Sequence, residues 1–353
     1  MPQSPVKVDA IVLAGTHQDK RRLIAGQNKA FLPLGERICL ELILEALGAA
    51  RRVGRIFVVG PEVELRRRVP PERWGQRIVP ESGRMLDNAW KAFAAAEESA
   101  IGLTSAELER RPYLFLTSDI PLAVSEAIDD YVERCFMLEE ERGATFDFLP
   151  GLADEAALAP FYPRTSRRGI RRPYMELKHQ RLRLANIHLA RPRRIRNLEI
   201  LQQGFSARKL TQWWSVGRLI GSFLRNPGGI RGACHVACFQ AASVLERHGW
   251  SWFSSVVRNS LDLAAVERSA SAMLGCGFAA VITPFGGLSL DMDEESDYEI
   301  IRENLLPWTE HQRTLLAAGV APRAASAVAE TAAGPPPGGA PAPPLRPTRE
   351  PDL

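Results

Sequence analysis

The chain has 353 residues, of which 45% are hydrophobic and 24% charged, and its 45 basic and 41 acidic side chains leave a formal charge of +4. These are the proportions of a globular protein with a sizeable core, and they exclude a collagen-like, disulfide-built or wholly disordered chain. No apolar run reaches the ~18 residues that span a bilayer, and Met1-Pro2-Gln3-Ser4-Pro5 leads into no signal-peptide core, so a cytoplasmic protein is expected.

Val8–Leu13 (VDAIVL) is apolar without alternation and ends at Ala14-Gly15, which predicts a strand covered on both faces. A polar, basic loop runs on to about Asn28. Over Arg37–Ala50 the apolar positions Ile38, Leu40, Leu42, Ile43, Leu44, Ala46 and Leu47 predict a largely buried helix. Ile56–Val59 is a second strand, Pro61–Arg68 a short helix, Ile78–Val79 a brief third strand and Leu86–Ala96 a helix. Tyr113–Thr117 (YLFLT) is the fourth strand; it closes on Ser118-Asp119-Ile120-Pro121, and Ser125 then caps a helix to about Phe136.

Phe146–Pro150, Phe161–Pro163, Tyr174–Lys178 and Leu184–Ala190 are expected as further strands around a basic loop. A period of two on the last puts Ala185, Ile187 and Leu189 on one face, with Asn186 and His188 on the other, toward a cleft. Helices are expected at Ile195–Gln203, Ala207–Leu224, Gly232–His248 and Leu261–Leu274. The aromatic residues there (Trp213, Trp214, Trp250, Trp252, Phe253) suit a core or a homo-oligomer surface. Phe278–Thr283 returns to a strand, Asp291 stands near the end of a short strand, and Asp293 has the place of an N-cap for a helix to Leu305. From about residue 319 Ala, Pro and Gly dominate, as in Gly334–Pro344 (GPPPGGAPAPP), a composition that buries no core and predicts disorder.

The expectation is therefore one α/β domain over residues 1–318, with a helical insert at about 192–275 and a tail at 319–353. Strands alternating with helices make it a three-layer α/β/α, mostly parallel, Rossmann-like sheet. In such sheets ligands bind outside the carboxyl ends of strands, which singles out Gly15–Lys29 and Ser118–Pro121.

The basic residues concentrate between Arg164 and Arg196, a field that suits an anionic small molecule or a solvated rim. The five cysteines, Cys39, Cys135, Cys234, Cys238 and Cys276, are odd in number and scattered. Cys234 and Cys238 share a helix face near His235 and His248, but without a second close pair of ligands small core residues are the better account than zinc.

Three constellations carry chemistry. In the first, a strand ends in Leu13-Ala14-Gly15, and Asn28-Lys29 follows: free backbone N–H groups and a lysine can wrap a triphosphate, although the P-loop spacing is absent. In the second, Asp119 closes a buried strand, where a carboxylate can hold Mg²⁺ against phosphate oxygens or simply serve a turn. In the third, Asp291-Met292-Asp293 either caps a helix or completes that metal site.

Taken together these residues resemble the nucleotidyltransferases similar to molybdenum-cofactor guanylyltransferase, which have a glycosyltransferase-A-like fold. The family's L-A-G-G strand end looks like Leu13-Ala14-Gly15-Thr16, and its N-K-x-L element looks like Asn28-Lys29-Ala30-Phe31-Leu32. T-S-D-I-P-L stands intact at Thr117–Leu122, and D-x-D-x-x-x-D at Asp291, Asp293 and Asp297. Arg172–Lys178 and Ala185–Leu189 resemble its acceptor elements; Thr16 and Ala185 replace glycines, and the loop over Thr16–Gln27 is longer and carries Lys20, Arg21 and Arg22. The resemblance implies transfer of a nucleotide from a nucleoside triphosphate to a phosphorylated or hydroxylated small-molecule acceptor, with release of pyrophosphate, Mg²⁺ and no nucleic acid; a nucleotide-binding regulatory or scaffold protein on the same fold, suggested by Thr16 and Ala185, and a nucleotide-sugar-dependent glycosyltransferase with Asp291-Met292-Asp293 as its D-x-D stay open. It implies metal ligation by Asp119 with Asp291 or Asp293, and phosphate contacts from Lys29 and the Leu13–Thr16 turn (Leu13, Ala14, Gly15, Thr16). Ser82, Gly83 and Asn88 are then candidates for the base or ribose, and Asn186, Arg172 and Lys178 for the acceptor.

Overall fold

The computed structural model describes residues 6–16, 23–197 and 262–316. The charged loop at 17–22, most of the helical insert with its aromatic residues, Cys234 and Cys238, and the tail lie outside the described residues.

The first strand, β1 (Val8–Leu13), is buried as its unbroken apolar run requires: Ala10, Ile11 and Val12 are fully covered. After a small hairpin, β2 (Pro33–Leu34) and β3 (Arg37–Ile38), come α1 (Cys39–Ala49) and β4 (Val53–Gly60). Next are α2 (Glu62–Arg68), α3 (Pro71–Trp74), β5 (Arg77–Pro80), α4 (Met85–Glu98) and α5 (Ser105–Arg110). The chain then returns through β6 (Tyr113–Thr117), α6 (Ser125–Glu141), β7 (Phe148–Asp154), α7 (Glu155–Leu158), β8 (Met175–Glu176) and β9 (Arg181–Ala190). The described residues after the insert form α8 (Leu263–Leu274), β10 (Val281–Thr283) and α9 (Glu295–Thr314).

The sheet runs β10-β7-β9-β6-β1-β4-β5, with β8 paired to β9. Neighbours along this path are parallel except at β9, which is antiparallel to both β6 and β7. One face packs α1 and α6 onto Ala10, Val12, Val58, Leu114 and Leu116. The other packs Ala92, Phe93 and Ala96 of α4 onto Ile11, Phe57, Val59 and Tyr113. Both faces of the central strands are thus covered, the three-layer arrangement expected.

Several local expectations are corrected. Phe161–Pro163 is not a strand: Pro160 and Pro163 have no N–H for a ladder, and Ala159–Phe161 forms a 3₁₀ turn that buries Phe161 edge-on against Trp308, with ring centroids 5.1 Å apart. Ser125 does not cap α6; the N-cap is Val124, Ser125 donates to Glu126 at 3.0 Å, and the helix continues to Glu141. Asp293 is not an N-cap either. That position belongs to Glu294, the segment before it is a 3₁₀ turn (Gly286–Ser289) and irregular chain rather than a strand, and α9 runs past Leu305 to Thr314. Between Tyr174 and Lys178 only Met175–Glu176 is strand, and α5 was not expected, although Thr104 and Glu107 form its capping box.

Candidate active site

From β1 the chain moves outward to β4 and β5, then returns to β6 on the other side of β1. The loops leaving β1 and β6 therefore diverge, and such a switch point opens a crevice at the strands' carboxyl ends. Here the crevice is a cleft of about 900 Å³, within the usual range for small-molecule sites.

On the β1 side the backbone is held by side chains. Asn28 donates to the Ala14 carbonyl at 3.0 Å and to the Thr16 hydroxyl at 3.3 Å, and its own amide oxygen accepts from Ala30 N to start a 3₁₀ turn over Lys29–Phe31. Asn88, at the start of α4, accepts from Ser82 N at 2.7 Å. Its Nδ2 lies only 2.7 Å from where a Cβ on Gly15 would stand, so a side chain there would have to displace the Asn88 amide. Glu81 accepts from Thr16 N at 2.6 Å.

Across the cleft, Asp119 follows β6. Its backbone is pinned by Ser118 N donating to Leu13 O at 3.1 Å and by Met292 N donating to Asp119 O at 3.0 Å. Carboxylate oxygens of Asp119, Asp291 and Asp293 all lie within 4.8 Å of one another, although the residues come from segments far apart in the chain. Lys29 Nζ sits between Asp119 (3.3 Å) and Asp293 (3.1 Å). Burial alone would lower the Lys29 pKa, but the charges of Asp119 and Asp293 outweigh it and hold the ammonium above its ordinary value. Asp291 goes up: burial first, then the charges of Asp119 and Asp293, overcome the opposing Arg183 and Arg172. Asp119 Oδ1 is buried with no hydrogen-bond partner.

The structure brings most of the expected residues to this cleft: Leu13, Gly15, Thr16, Lys29, Gly83, Asn88, Asp119, Arg172, Asn186, Asp291 and Asp293 line it. Ala14 is buried just behind it. Two residues depart. Ser82 lines a neighbouring hollow with Trp90 and Lys91, and its N–H donates to Asn88 Oδ1 at 2.7 Å. Lys178 is exposed in the turn between β8 and β9 and is not part of the lining. The guanidinium of Arg172 is engaged by Asp297, with an Nη2–Oδ2 distance of 2.7 Å.

The expected alternation on β9 holds. Ala185, Ile187 and Leu189 belong to the main core, whereas Asn186 and His188 line the cleft. Leu116 pairs with Ile187, so Thr117 stands one pair on, opposite Asn186. Thr117 Oγ1 and Asn186 Nδ2 are both buried without a hydrogen-bond partner; orphaned groups of this kind point to a ligand or a solvent molecule.

Sequence reasoning missed Arg183, which donates to Asp291 at 3.1 Å and to Ser289 O at 3.0 Å. The signal was available, since an arginine stands in the same phase of β9 as the core-facing Ala185, Ile187 and Leu189. Glu81 was missed as well, and nothing in its local sequence marks it.

No protein-family model and no curated protein matches the chain. Among solved structures it is similar to a hypothetical transferase from Thermus thermophilus, at 23% identity over 83% of this chain and 99% of that one, with a TM-score of 0.53. It is similar more loosely to a CMP:2-keto-3-deoxy-manno-octonic acid synthetase complexed with CTP (12% identity, 85% of this chain and 99% of that one, TM-score 0.41). A 4-diphosphocytidyl-2C-methyl-D-erythritol synthase matches at 15% identity over 54% of this chain and 77% of that one, with a TM-score of 0.34. The Thermus thermophilus structure shares the fold: a mixed, mostly parallel Rossmann-like sheet covered by helices. No described helix is long and apolar enough to cross a membrane.

Proposed function

We propose that this cleft binds a nucleoside triphosphate with Mg²⁺ and transfers its nucleotidyl group to a small-molecule acceptor, releasing pyrophosphate. The observation that carries this reading is the convergence of three carboxylates, Asp119, Asp291 and Asp293, within 4.8 Å in the cleft that also holds Lys29 and the Gly15 turn. An all-carboxylate set with an orphaned oxygen on Asp119 suits a hard cation that prefers oxygen ligands. Asp119, with Asp291 or Asp293, would hold that ion, whose charge would offset the charge on the α-phosphate. The intact T-S-D-I-P-L at Thr117–Leu122 supports the finer kinship with molybdenum-cofactor guanylyltransferase-like enzymes.

In this mechanism the protein positions and neutralises; no covalent enzyme intermediate is needed. An acceptor phosphate or hydroxyl oxygen bonds to the α-phosphorus as the bond to pyrophosphate breaks, and a hydroxyl's proton leaves to water. Lys29 exchanges its two carboxylates for the distal phosphates. Gly15, without a Cβ, lets the chain pack closely on Asn88 and keeps the turn open to the nucleotide. Asn186 Nδ2 and Thr117 Oγ1 offer donors to the acceptor.

The decisive experiment measures thermal shift with each of the four nucleoside triphosphates and Mg²⁺, then pyrophosphate release against a panel of phosphorylated and hydroxylated acceptors. Pyrophosphate release that disappears in Asp119→Asn is the expected result; no shift with any triphosphate would overturn it. A second reading, nucleotide binding without turnover, is favoured by one contact: Thr16 N, which a phosphate would use, is already bound by Glu81 at 2.6 Å. Binding without pyrophosphate release across the panel would select that reading.

A further inference from the structure

The segment from Leu290 to Asp293 has neither helix nor strand, so Asp291 and Asp293 owe their positions to bonds from elsewhere. Asp297, in the first turn of α9, gathers that segment. Its Oδ2 accepts from the backbone N–H groups of Asp293 and Glu294, both at 3.0 Å, and from Arg172 Nη2 at 2.7 Å. The same Nη2 donates to the Asp291 carbonyl at 2.5 Å. From the opposite side, Met292 N donates to Asp119 O at 3.0 Å. A helix cap would account for the two N–H bonds to Asp297. It does not account for an arginine drawn from 125 positions away and bonded both to the cap and to the carbonyl of a cleft aspartate. Asp297 is buried and absent from the cleft lining, while Asp291, Asp293 and Arg172 belong to it.

We propose that Asp297 and Arg172 are positioning residues, a buried clamp that sets the spacing of the Asp291 and Asp293 carboxylates for the cation, and that Arg172 serves this clamp rather than the acceptor. The proposal rests on the metal-site reading above. Magnesium tolerates little departure from octahedral geometry, so a loop with no regular structure can hold it only if the loop's own backbone is fixed. Residues that hold metal ligands from behind commonly contribute about 10- to 100-fold to metal affinity.

The test uses the full chain. Asp297→Asn keeps an oxygen for the two N–H groups but removes the charge that faces Arg172. Arg172→Lys keeps the positive charge but loses the rigid planar guanidinium whose Nη2 reaches both acceptors. Mn²⁺ binding is measured by electron paramagnetic resonance with and without an α,β-methylene triphosphate, and analogue binding is measured separately in EDTA. The expected result is Mn²⁺ affinity lowered about 10- to 100-fold in both variants, with analogue affinity in EDTA within about twofold, ~0.4 kcal/mol. Mn²⁺ affinity unchanged in both folded variants would overturn the clamp while leaving the metal site standing. Wild-type protein that binds no Mn²⁺ even with the analogue would overturn the metal-site reading, and the clamp with it. Should Asp297→Asn melt below the assay temperature, Arg172→Lys decides alone.

Discussion

On the Gly15 side of the cleft, side chains hold backbone: Asn28 on Ala14 O, Glu81 on Thr16 N, Asn88 on Ser82 N. On the Asp291 side, side chains hold backbone too, Asp297 on Asp293 N and Arg172 on Asp291 O, but charged side chains also hold one another: Lys29 on Asp119 and Asp293, Arg183 on Asp291, Arg172 on Asp297. The first side fixes a shape and leaves little room beside the turn. The second gathers charge whose members hold one another in place, since a buried ion stripped of all its partners is costly. Substitutions should therefore fail by crowding on one side and by electrostatics on the other.

The largest effect is expected on the charged side. Asp119→Asn should lower Mg²⁺-dependent turnover roughly a thousandfold, about 4 kcal/mol, with melting temperature little changed; retained turnover with normal metal dependence would remove Asp119 from the site. Next, Lys29→Ala should weaken triphosphate binding roughly 30-fold, ~2 kcal/mol for a lost charged hydrogen bond, and monophosphate binding far less. Calorimetric titrations that show equal losses would take Lys29 off the distal phosphates. On the shape side, Gly15→Ala drives a Cβ to 2.7 Å from Asn88 Nδ2. It should cost about tenfold in nucleotide affinity, ~1.4 kcal/mol, with metal affinity in the absence of nucleotide unchanged. Asn186→Ala should raise the acceptor KM about fivefold, ~1 kcal/mol, with triphosphate affinity within about twofold, ~0.4 kcal/mol. Steady-state kinetics with a collapsed triphosphate affinity and an untouched acceptor KM would move Asn186 to the nucleotide.

The smallest effect belongs to a control at the other end of β1. Burial would raise the Asp9 carboxyl, but hydrogen bonds from the Arg55 side chain and backbone, with the charges of Arg111 and Arg55, hold it below its ordinary value. Its share of stability is complete above the unfolded-chain value of about 3.9 and is lost as pH falls through the lower folded value. Urea melts at several pH values should show a shallower acid loss in Asp9→Asn than in wild type, with nucleotide binding at neutral pH unaltered in both.

The same contrast explains what could be read from the chain alone. Unbroken apolar runs mark β1, β4 and β6, and the residues just beyond two of them, Gly15 and Asp119, are functional candidates because a strand end has only one neighbourhood in such a sheet. The period of two on β9 separates Asn186 and His188 from the core with no tertiary knowledge. The charged side resists such reading because its ion pairs join residues 90 or more positions apart, as Lys29 and Asp119 or Arg183 and Asp291 do. Asp293 illustrates the difference: local spacing suits an N-cap, but the Lys29 ammonium at 3.1 Å uses its carboxylate instead. Lys178 fails for the converse reason, since a motif can align across a turn that projects its side chain into solvent.

Strand β9 joins β6 to β7, which follow each other in the chain yet do not touch in the sheet. As the protein is synthesised, β1, β4, β5 and β6 can pair as soon as they emerge, whereas β6 and β7 must each wait with an open edge until β9 arrives to run between them. Exposed edges invite pairing with other chains, and such late, long-range closure is slow. Because β9 also carries Arg183 and Asn186, the cleft becomes complete only when that gap is closed. A nascent chain stalled before residue 181 would thus have the Gly15 turn and Asp119 but neither Arg183 and Asn186 nor the Asp291 and Asp293 that follow them, and would be as prone to aggregation as it is unable to act.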